Sequence, residues 1–273
     1  MSQTTAVAAA PVVIAAGGLG TRVAGWSPYL PKELRPVRGR PGLAHIVDEA
    51  GATGAVRAVV VHHPYYTPLV PWTRQVLAPG ALARYQVLAR QPVTEPRPAD
   101  RVRVDFIPQQ GRYADVTSVL EGAEHLRAED VYMVFADNVD VTHTALSLLA
   151  AAATPGVPAV LASPFDVDAA GTYGVIVCDG TGPVQRMLGL VEKPGRPEAC
   201  RLLAEHGADS LRLLQGRMRI TQNLLNDLSA AEAGSASEPK LSLALAAYAR
   251  AHPVDVVTTT QPMTDLGLDS GGL

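Results

Sequence analysis

The stretch that decides the fold is VVIAAGGLGTR, residues 12–22. Its first part, Val12–Ala15, is a short apolar run that predicts a buried β-strand. The glycines that follow predict a loop in which backbone N–H groups approach a bound anion closely, because no side chains stand in the way. This strand and loop begin the fold, and the loop is the first candidate binding site.

Beyond this unit, short β-branched runs alternate with longer segments of helical spacing. Further strands are predicted at Ala58–His62, Val102–Pro108, Val131–Phe135 and Ala159–Ser163. Helices are predicted at Leu43–Ala50, Val116–Leu126 and Thr142–Ala153. The alternation predicts an α/β fold, a three-layer Rossmann-like arrangement of a mixed, mostly parallel sheet flanked by helices. Ligands of such sheets lie beyond the carboxyl ends of the strands.

We expect a single domain over residues 11–273, preceded by a disordered N-terminal tip at residues 1–10. Thr67–Arg101 is rich in proline and arginine, which predicts a surface excursion or lid. Ala230–Pro239 has the composition of a flexible linker or loop tip. The helix Lys240–Ala251 and the strand Val254–Thr259 are expected to close the fold.

Composition limits the possible partners and the compartment. A formal net charge of −3 and scattered arginines argue against nucleic acid as a partner. The two cysteines, Cys178 and Cys200, lack metal-like spacing, and a reducing cytoplasm is the expected location. No stretch has the ~18 uninterrupted apolar residues of a membrane span, so no membrane partner is expected.

Cationic residues follow the glycines of the loop. Arg22 offers a forked donor for phosphate oxygens, and Lys32 adds a second positive charge ten residues further on. A Walker ending is absent, and Val23 stands where a dinucleotide fingerprint has a small residue. The predicted triphosphate cradle therefore consists of Gly17, Gly18, Gly20, Thr21, Arg22 and Lys32.

This pattern resembles the signature of the sugar-1-phosphate nucleotidylyltransferases, and it is most similar to the bacterial glucose-1-phosphate uridylyltransferases. Further matches follow in order over almost the whole chain: Gln110-Gly111, Phe135-Ala136-Asp137, Tyr173-Gly174-Val175, Val191-Glu192-Lys193-Pro194 and Asp265. The resemblance implies the nucleotide-diphospho-sugar transferase fold. It also implies a Mg²⁺-dependent reaction of a nucleoside triphosphate, with UTP favoured, and a sugar 1-phosphate to give a nucleotide sugar and pyrophosphate.

Asp137 directly follows a predicted strand, which leaves its carboxylate free at the carboxyl edge of the sheet. A helix N-cap is the ordinary role of such a residue, and Asp140 suits that role better because a helix is predicted just beyond it. The resemblance instead implies that Asp137 and Asp265 hold Mg²⁺ together with substrate phosphates.

The resemblance assigns the remaining site residues as well. It implies that Lys193 neutralises the phosphate of the sugar, while Arg22 and Lys32 act on the nucleotide. Glu192 would accept hydrogen bonds from sugar hydroxyls, and Gly174 would bring the backbone close to the sugar ring. Gln110 would contact the edge of the base.

Two regions depart from the pattern of the family. Asp115 and Thr117 stand where relatives have glycines beside the base, and Ser118 replaces a usual histidine or glutamine. A carboxylate at the base edge suits the N–H donors of guanine and cytosine, so Asp115 is expected to change or broaden the base preference. The alternative is that Asp115 turns outward as a helix N-cap. Lys240–Leu245 replaces an acidic Leu-Thr-Asp stretch near the sugar, which suggests an acceptor other than glucose 1-phosphate, such as a deoxy, amino or cyclitol phosphate.

Other functions stay open at this point. A cytidylyltransferase for a phosphorylated alcohol or phosphonate would share the cradle but would need neither Glu192 nor Gly174. A glycosyltransferase would carry an Asp-x-Asp motif, which the spacing of Asp137 and Asp140 does not match. A non-catalytic nucleotide-binding regulatory protein is the third alternative, and a homo-oligomer is a possible assembly.

Overall fold

The structure is a computed structural model that describes residues 10–94, 96–180, 182–234 and 239–267. Its strands are β1 Val12–Ala16, β2 Pro36–Val37, β3 Arg40–Pro41, β4 Arg57–His62, β5 Arg103–Pro108, β6 Val131–Phe135, β7 Asn138–Val139, β8 Ala159–Pro164, β9 Val175–Asp179, β10 Val184–Val191, β11 Leu211–Ile220, β12 Asp255–Thr258 and β13 Thr264–Asp265. Its α-helices are α1 Gly42–Ala52, α2 Val70–Leu77, α3 Ala81–Leu88, α4 Asp115–Leu126, α5 Ala145–Ala152, α6 Arg196–His206, α7 Gln222–Gly234 and α8 Leu241–Ala249.

In the described ranges, nine strands form one sheet in the order β5-β4-β1-β6-β11-β8-β12-β10-β9. β5, β4, β1 and β6 pair in parallel, and so do β8 and β12. Two strands, β11 and β10, run antiparallel to their neighbours. The predicted α/β class with a mixed, mostly parallel sheet is confirmed.

The two faces of the sheet bury separate apolar clusters because successive strand residues point to opposite sides. Val12 and Ile14 of β1 pack with α1 and α5. Val13, between them, packs with α4, α7 and α8. A third cluster joins α6 to β9 and β11. The helices therefore cover the sheet from both sides, as expected for three layers.

Two of the shortest strands form a separate ribbon beside the main sheet. β7 follows β6 after a two-residue turn and pairs antiparallel with β13, near the end of the described chain. In this register Asp265 lies opposite Asn138. The ribbon brings the end of the chain back to the carboxyl end of β6.

Several predicted boundaries differ from the structure. The helix expected from Thr142 begins at Ala145, since the Asp140 carboxylate accepts the N–H groups of Thr142, Thr144 and Ala145 at its start. Thr67–Arg101 contains α2, α3 and a short 3-10 turn.

The expected linker and tip fall partly outside the described residues. The first five residues of Ala230–Pro239 extend α7, and residues 235–238 lie outside the described ranges. Of the expected tip, residues 1–9 lie outside them as well.

Three strands of the main sheet, β9, β10 and β11, were not predicted, and neither were the two-residue strands β2, β3, β7 and β13. β11 is the largest omission, since it lies at the centre of the sheet between β6 and β8. Its sequence contains Arg212, Arg217 and Arg219, which hides the apolar pattern of a buried strand. Arg217 is completely buried all the same.

None of the helices in the described ranges combines the length and the apolar character needed to cross a membrane.

Candidate active site

Two adjoining cavities lie at the carboxyl ends of β1, β5 and β6. One has a volume of about 230 Å³ and the other about 210 Å³. Their linings share three residues, Asp115, Phe135 and Asp137. We call the smaller one, which the glycine-rich loop lines, the nucleotide cavity and the larger one the acceptor cavity, after the roles expected from the sequence.

The nucleotide cavity is built around Gly17, Gly18 and Lys32. A Cβ atom at Gly17 would lie 2.0 Å from Oε1 of Gln109, so any other residue here would have to displace the Gln109 amide. Gly20 has φ = +64°, and a Cβ there would lie 2.3 Å from Ser27 Oγ, whose hydroxyl donates to the Gly20 carbonyl. The positive φ explains why the loop requires glycine at position 20, and the nearby Gln109 amide favours glycine at position 17.

Gly20 and Thr21 do not line either cavity. Gly20 turns the chain into a single 3-10 turn, Thr21–Val23, which carries Arg22 to the acceptor cavity. The cradle residues are therefore divided, with Lys32 in one cavity and Arg22 in the other. Asp137 belongs to the lining of both.

Asp137 and Asp265 are brought together by the β7–β13 ribbon. The N–H of Leu266 donates to the carbonyl of Asp137 at 2.7 Å, and Gly267 donates its N–H to Asp265 Oδ1 at 2.7 Å. Burial raises the pKa of Asp265, and the neighbouring Asp137 carboxylate raises it further. The pair thus concentrates negative charge at the shared edge of the cavities.

Lys32 supplies the counter-charge. Its ammonium group donates to Asp137 Oδ2 and lies 3.7 Å from Glu33 Oε1. Burial alone would lower the pKa of Lys32, but the carboxylates of Asp137 and Glu33 outweigh it and hold the pKa above its usual value. Lys32 therefore stays charged and faces the position where the cavities meet.

The acceptor cavity places Arg22, Gly174, Glu192 and Lys193 in one lining. The Lys193 ammonium lies 3.9 Å from Glu192 Oε1. A Cβ at Gly174 would lie 3.4 Å from Glu192 Oε2. Lys193 adopts φ = +46°, a conformation that costs a non-glycine residue free energy and that clusters at functional sites.

Gln110 is not brought to the nucleotide cavity, and its neighbour Gln109 takes that place. The Gln109 amide donates to the carbonyls of Arg112 and Ala114, which holds it against Gly17. The backbone N–H of Gln110 instead binds the Glu121 carboxylate, and Gln110 lines a different depression over α4. Successive residues of an extended chain point in opposite directions, so a one-residue shift exchanges the two glutamines.

Asp115 connects two helices. It is the first residue of α4, and its Oδ1 accepts the N–H of Leu241, the first residue of α8, at 2.8 Å. The same oxygen lies 2.9 Å from the N–H of Val116. Asp115 also lines both cavities, so its carboxylate stabilises the two helix starts and faces the site as well.

Other residues in the linings were not found by sequence reasoning. Asn138 and Gln215 line the acceptor cavity, and Tyr113, stacked on His63 with ring centroids 4.5 Å apart, lines the nucleotide cavity. Asn138 directly follows Asp137 in the sequence, so its proximity to the site could have been inferred. Nothing in the local sequence around Gln215 indicates that it faces a cavity.

The acidic pair suits a divalent cation. Among the described residues there is no cluster of three or more histidine, cysteine or acidic side chains that would form a complete metal site. Two carboxylates at the edge of the acceptor cavity match the way Mg²⁺ binds, with few protein ligands and the remaining positions filled by water and substrate phosphates. The raised pKa of Asp265 fits this assignment, because a cation would relieve the repulsion from Asp137.

The α/β sheet and the glycine-rich loop at its carboxyl edge are typical of nucleotide-binding proteins. The sequence model described as "Nucleotidyl transferase" matches residues 11–208. The chain belongs to this family, whose members generally depend on a divalent metal.

Similar proteins agree with this assignment. The chain is 30% identical over 200 residues to the bifunctional protein GlmU of Paracidovorax citrulli, a match that covers 73% of the chain and 36% of that relative. The chain thus spans about a third of the length of the curated relative.

Two solved structures show the same fold. A UDP-glucose pyrophosphorylase complexed with UDP-glucose has a TM-score of 0.72 at 19% identity, covering 94% of this chain and 93% of the other. The inositol-1-phosphate CTP transferase from T. maritima has a TM-score of 0.68 at 13% identity, with coverage of 97% and 91%.

Proposed function

We propose that the protein is a sugar-phosphate nucleotidylyltransferase, which joins a nucleoside triphosphate to a sugar 1-phosphate and releases pyrophosphate. The observation that carries this proposal is the pair of cavities that meet at Asp137. Lys32 lies on the nucleotide side, and Arg22 and Lys193 lie on the acceptor side. Two anionic substrates would each meet a cation, and their reacting groups would meet beside the acidic pair.

The arrangement favours direct transfer without a covalent intermediate. The phosphate oxygen of the acceptor is already anionic, so its attack on the α-phosphorus of the nucleotide requires no protein base. The residues have to bring two anions together and stabilise the charge on the transferring group. Arg22, Lys32 and Lys193 supply positive charge, and Mg²⁺ held by Asp137 and Asp265 would neutralise phosphate oxygens.

On the nucleotide side, we assign Gly17 and Gly18 to the phosphates and Gln109, in place of Gln110, to the base region. All three residues line the nucleotide cavity, which supports this assignment. Gly20 and Thr21 shape the loop instead of contacting the nucleotide. UTP is the favoured nucleotide, and a solved relative with the same fold is named as UDP-glucose pyrophosphorylase.

On the acceptor side, we assign Glu192 and Gly174 to the sugar ring and Lys193 to its phosphate. The stretch Lys240–Leu245 departs from the pattern of the family, and its Ser242 lines this cavity. This position supports a role for the stretch in the choice of acceptor. A relative with the same fold is named as an inositol-1-phosphate CTP transferase. A cyclitol phosphate is therefore an acceptor to test beside glucose 1-phosphate.

The test is a two-dimensional panel of nucleotides and acceptors. The four common NTPs are each combined with Mg²⁺ and with glucose, amino-sugar, deoxy-sugar and inositol phosphates, an alcohol phosphate and a phosphonate, and pyrophosphate release is measured. We expect one pair to exceed the others by at least tenfold. Background release over the whole panel would favour the non-catalytic regulatory alternative, and turnover restricted to CTP with an alcohol phosphate or phosphonate would favour the cytidylyltransferase.

Asp137→Asn tests the role of the acidic pair. We expect turnover to fall at least a hundredfold, because the amide carries no negative charge for the cation. Asp166→Asn, in an exposed position outside both linings, serves as the control. Thermal unfolding should show that both variants are folded, and substantial residual turnover of Asp137→Asn would contradict the assignment.

Asp115→Asn tests the base preference. The amide oxygen still accepts the N–H of Leu241, so both helix starts keep their partner, while the negative charge at the cavity is lost. If the charge selects bases with N–H donors, the ratio of GTP or CTP turnover to UTP turnover falls severalfold in the variant. An unchanged ratio would show that Asp115 serves the helices alone.

A further inference from the structure

A completely buried ion pair lies behind the acidic pair, and the reaction outlined above does not use it. Arg217 of β11 donates from Nε to Glu49 Oε1 at 2.9 Å and from Nη2 to Oε2 at 2.6 Å. Both side chains are 0–1% exposed. This bidentate geometry requires the planar fork of arginine, which lysine cannot reproduce.

The same guanidinium also holds β7. Its Nη1 donates to the backbone carbonyl of Asn138 and, at 2.7 Å, to the side-chain Oδ1 of that residue. Glu49 Oε1 in turn accepts the N–H of Leu146 in the first turn of α5 at 2.9 Å. Arg217 thus ties one short strand of the ribbon to α1, α5 and the central strand of the sheet.

This tie is connected to both aspartates of the site through Asn138. Asn138 follows Asp137 directly and lies opposite Asp265 in the ribbon. β7 and β13 have two residues each and, in the described part of the chain, pair only with each other, so few backbone hydrogen bonds hold them. The contacts of Arg217 with Asn138 are a polar anchor between this ribbon and the core.

We propose that Arg217, held by Glu49, is a positioning residue that fixes Asn138 and thereby sets the spacing of Asp137 and Asp265 for a divalent cation. The inference rests on the proposed function, because it assumes that the two carboxylates share a cation. Arg217 itself touches neither cavity. It acts through the ribbon.

If Arg217 only stabilised the fold, a folded variant without the ion pair would keep the cation affinity of the wild type. A buried ion pair costs desolvation of both charges, and replacing both partners by apolar residues of similar volume is often neutral for stability. Such a replacement keeps the core filled but removes the donors to Asn138. The double variant Glu49→Leu/Arg217→Met therefore separates packing from positioning.

The experiment measures Mn²⁺ affinity of the full chain by titration, following the electron paramagnetic resonance signal of free Mn²⁺. We expect the double variant to unfold cooperatively and to bind Mn²⁺ at least tenfold more weakly than the wild type. Arg217→Lys, which keeps a charge beside Glu49 but lacks the fork, should show a similar loss. Arg219→Met is the matched control, because Arg219 lies two residues further along β11 and pairs with Asp130 near the surface; its affinity should stay within twofold.

Wild-type Mn²⁺ affinity in a folded double variant would overturn the proposal. If the double variant does not fold, wild-type affinity in Arg217→Lys would overturn it equally. A wild-type protein that binds no Mn²⁺ would refute the shared cation site and this inference with it. A wild-type protein that binds Mn²⁺ but releases no pyrophosphate over the substrate panel would refute the proposed function alone.

Discussion

At the scale of single residues, Lys32 and Glu33 show how neighbours in sequence acquire different chemistry. Lys32 is held charged by two carboxylates at the edge of the cavities. Glu33 is buried, and its Oε2 has no hydrogen-bond partner among the described residues. Burial raises the pKa of Glu33 to about 7, although Lys32 opposes the shift. The glutamate is thus a source of instability that depends on pH.

Glu33→Gln should reveal this instability. The folded chain takes up the proton at about pH 7 and the unfolded chain near the ordinary value of 4.5, so stability falls as the pH rises between these values. We expect the variant to have a higher unfolding free energy than the wild type at pH 8, by up to about 3 kcal/mol. The difference should vanish near pH 4, as measured by urea denaturation.

The exposed Glu205 provides the control for this experiment. It lies on α6 with a side chain that is 56% exposed, so Glu205→Gln should show no comparable dependence on pH. Equal behaviour of the two variants would contradict the assignment of the instability to Glu33.

At the scale of elements, the close packing of α4 on β1 positions the site. A Cβ at Gly122 of α4 would lie 2.5 and 2.8 Å from the two γ-carbons of Val13. Val13 is fully buried in β1, four residues before Gly17, where the glycine-rich loop begins. The glycine therefore lets α4 lie close to the sheet, which brings Asp115 at its start to the edge of both cavities.

Gly122→Ala tests this packing. Alanine favours the helix by about 1 kcal/mol, but the added methyl group collides with a stiff, β-branched side chain. We expect a net loss of about 1–3 kcal/mol in unfolding free energy, measured by urea denaturation. Gly25→Ala is the matched control, since a Cβ at Gly25 meets no atom within 4 Å, and its effect should stay within about 0.5 kcal/mol. A stabilised Gly122→Ala variant would show that α4 can move away from β1.

At the scale of the whole molecule, the site draws residues from both ends of the chain. Gly17 follows the first strand, and Asp265 comes from the last described one. A ligand bound across the two cavities therefore contacts segments that only the complete fold holds together. Binding must stabilise the folded state by mass action, since the unfolded chain has no such site.

A nucleotide should for this reason raise the unfolding temperature. At a hundredfold excess over its dissociation constant, MgUTP should stabilise the fold by about 2.7 kcal/mol, or roughly 5 °C for a chain of this size. Differential scanning fluorimetry with each NTP measures the effect, and Asp137→Asn should reduce it. An unfolding temperature that no nucleotide changes, with or without Mg²⁺, would contradict the assignment of this cavity to a nucleotide.

The features that can be read from the sequence are those that depend on interactions between neighbouring residues. The β-branched strands β1, β4, β6 and β8 were found because their apolar runs are local patterns. β11 was not predicted because its arginines are typical of an exposed segment. Arg217 can be buried because Asn138 and Glu49, which are 79 and 168 residues away in the sequence, accept its hydrogen bonds. Gln110 was preferred to Gln109 because spacing alone does not show which side chain turns inward.

By itself, the sequence determined the α/β class, the glycine-rich loop and its cations, and the resemblance to a family to which the chain belongs. These features depend on local backbone requirements and on patterns of neighbouring residues. Only the tertiary structure decided that Asp265 meets Asp137 through the ribbon, that Asp115 binds the start of α8, and that Arg217 anchors Asn138. Such contacts join residues far apart in the chain, and their geometry arises only when the layers pack.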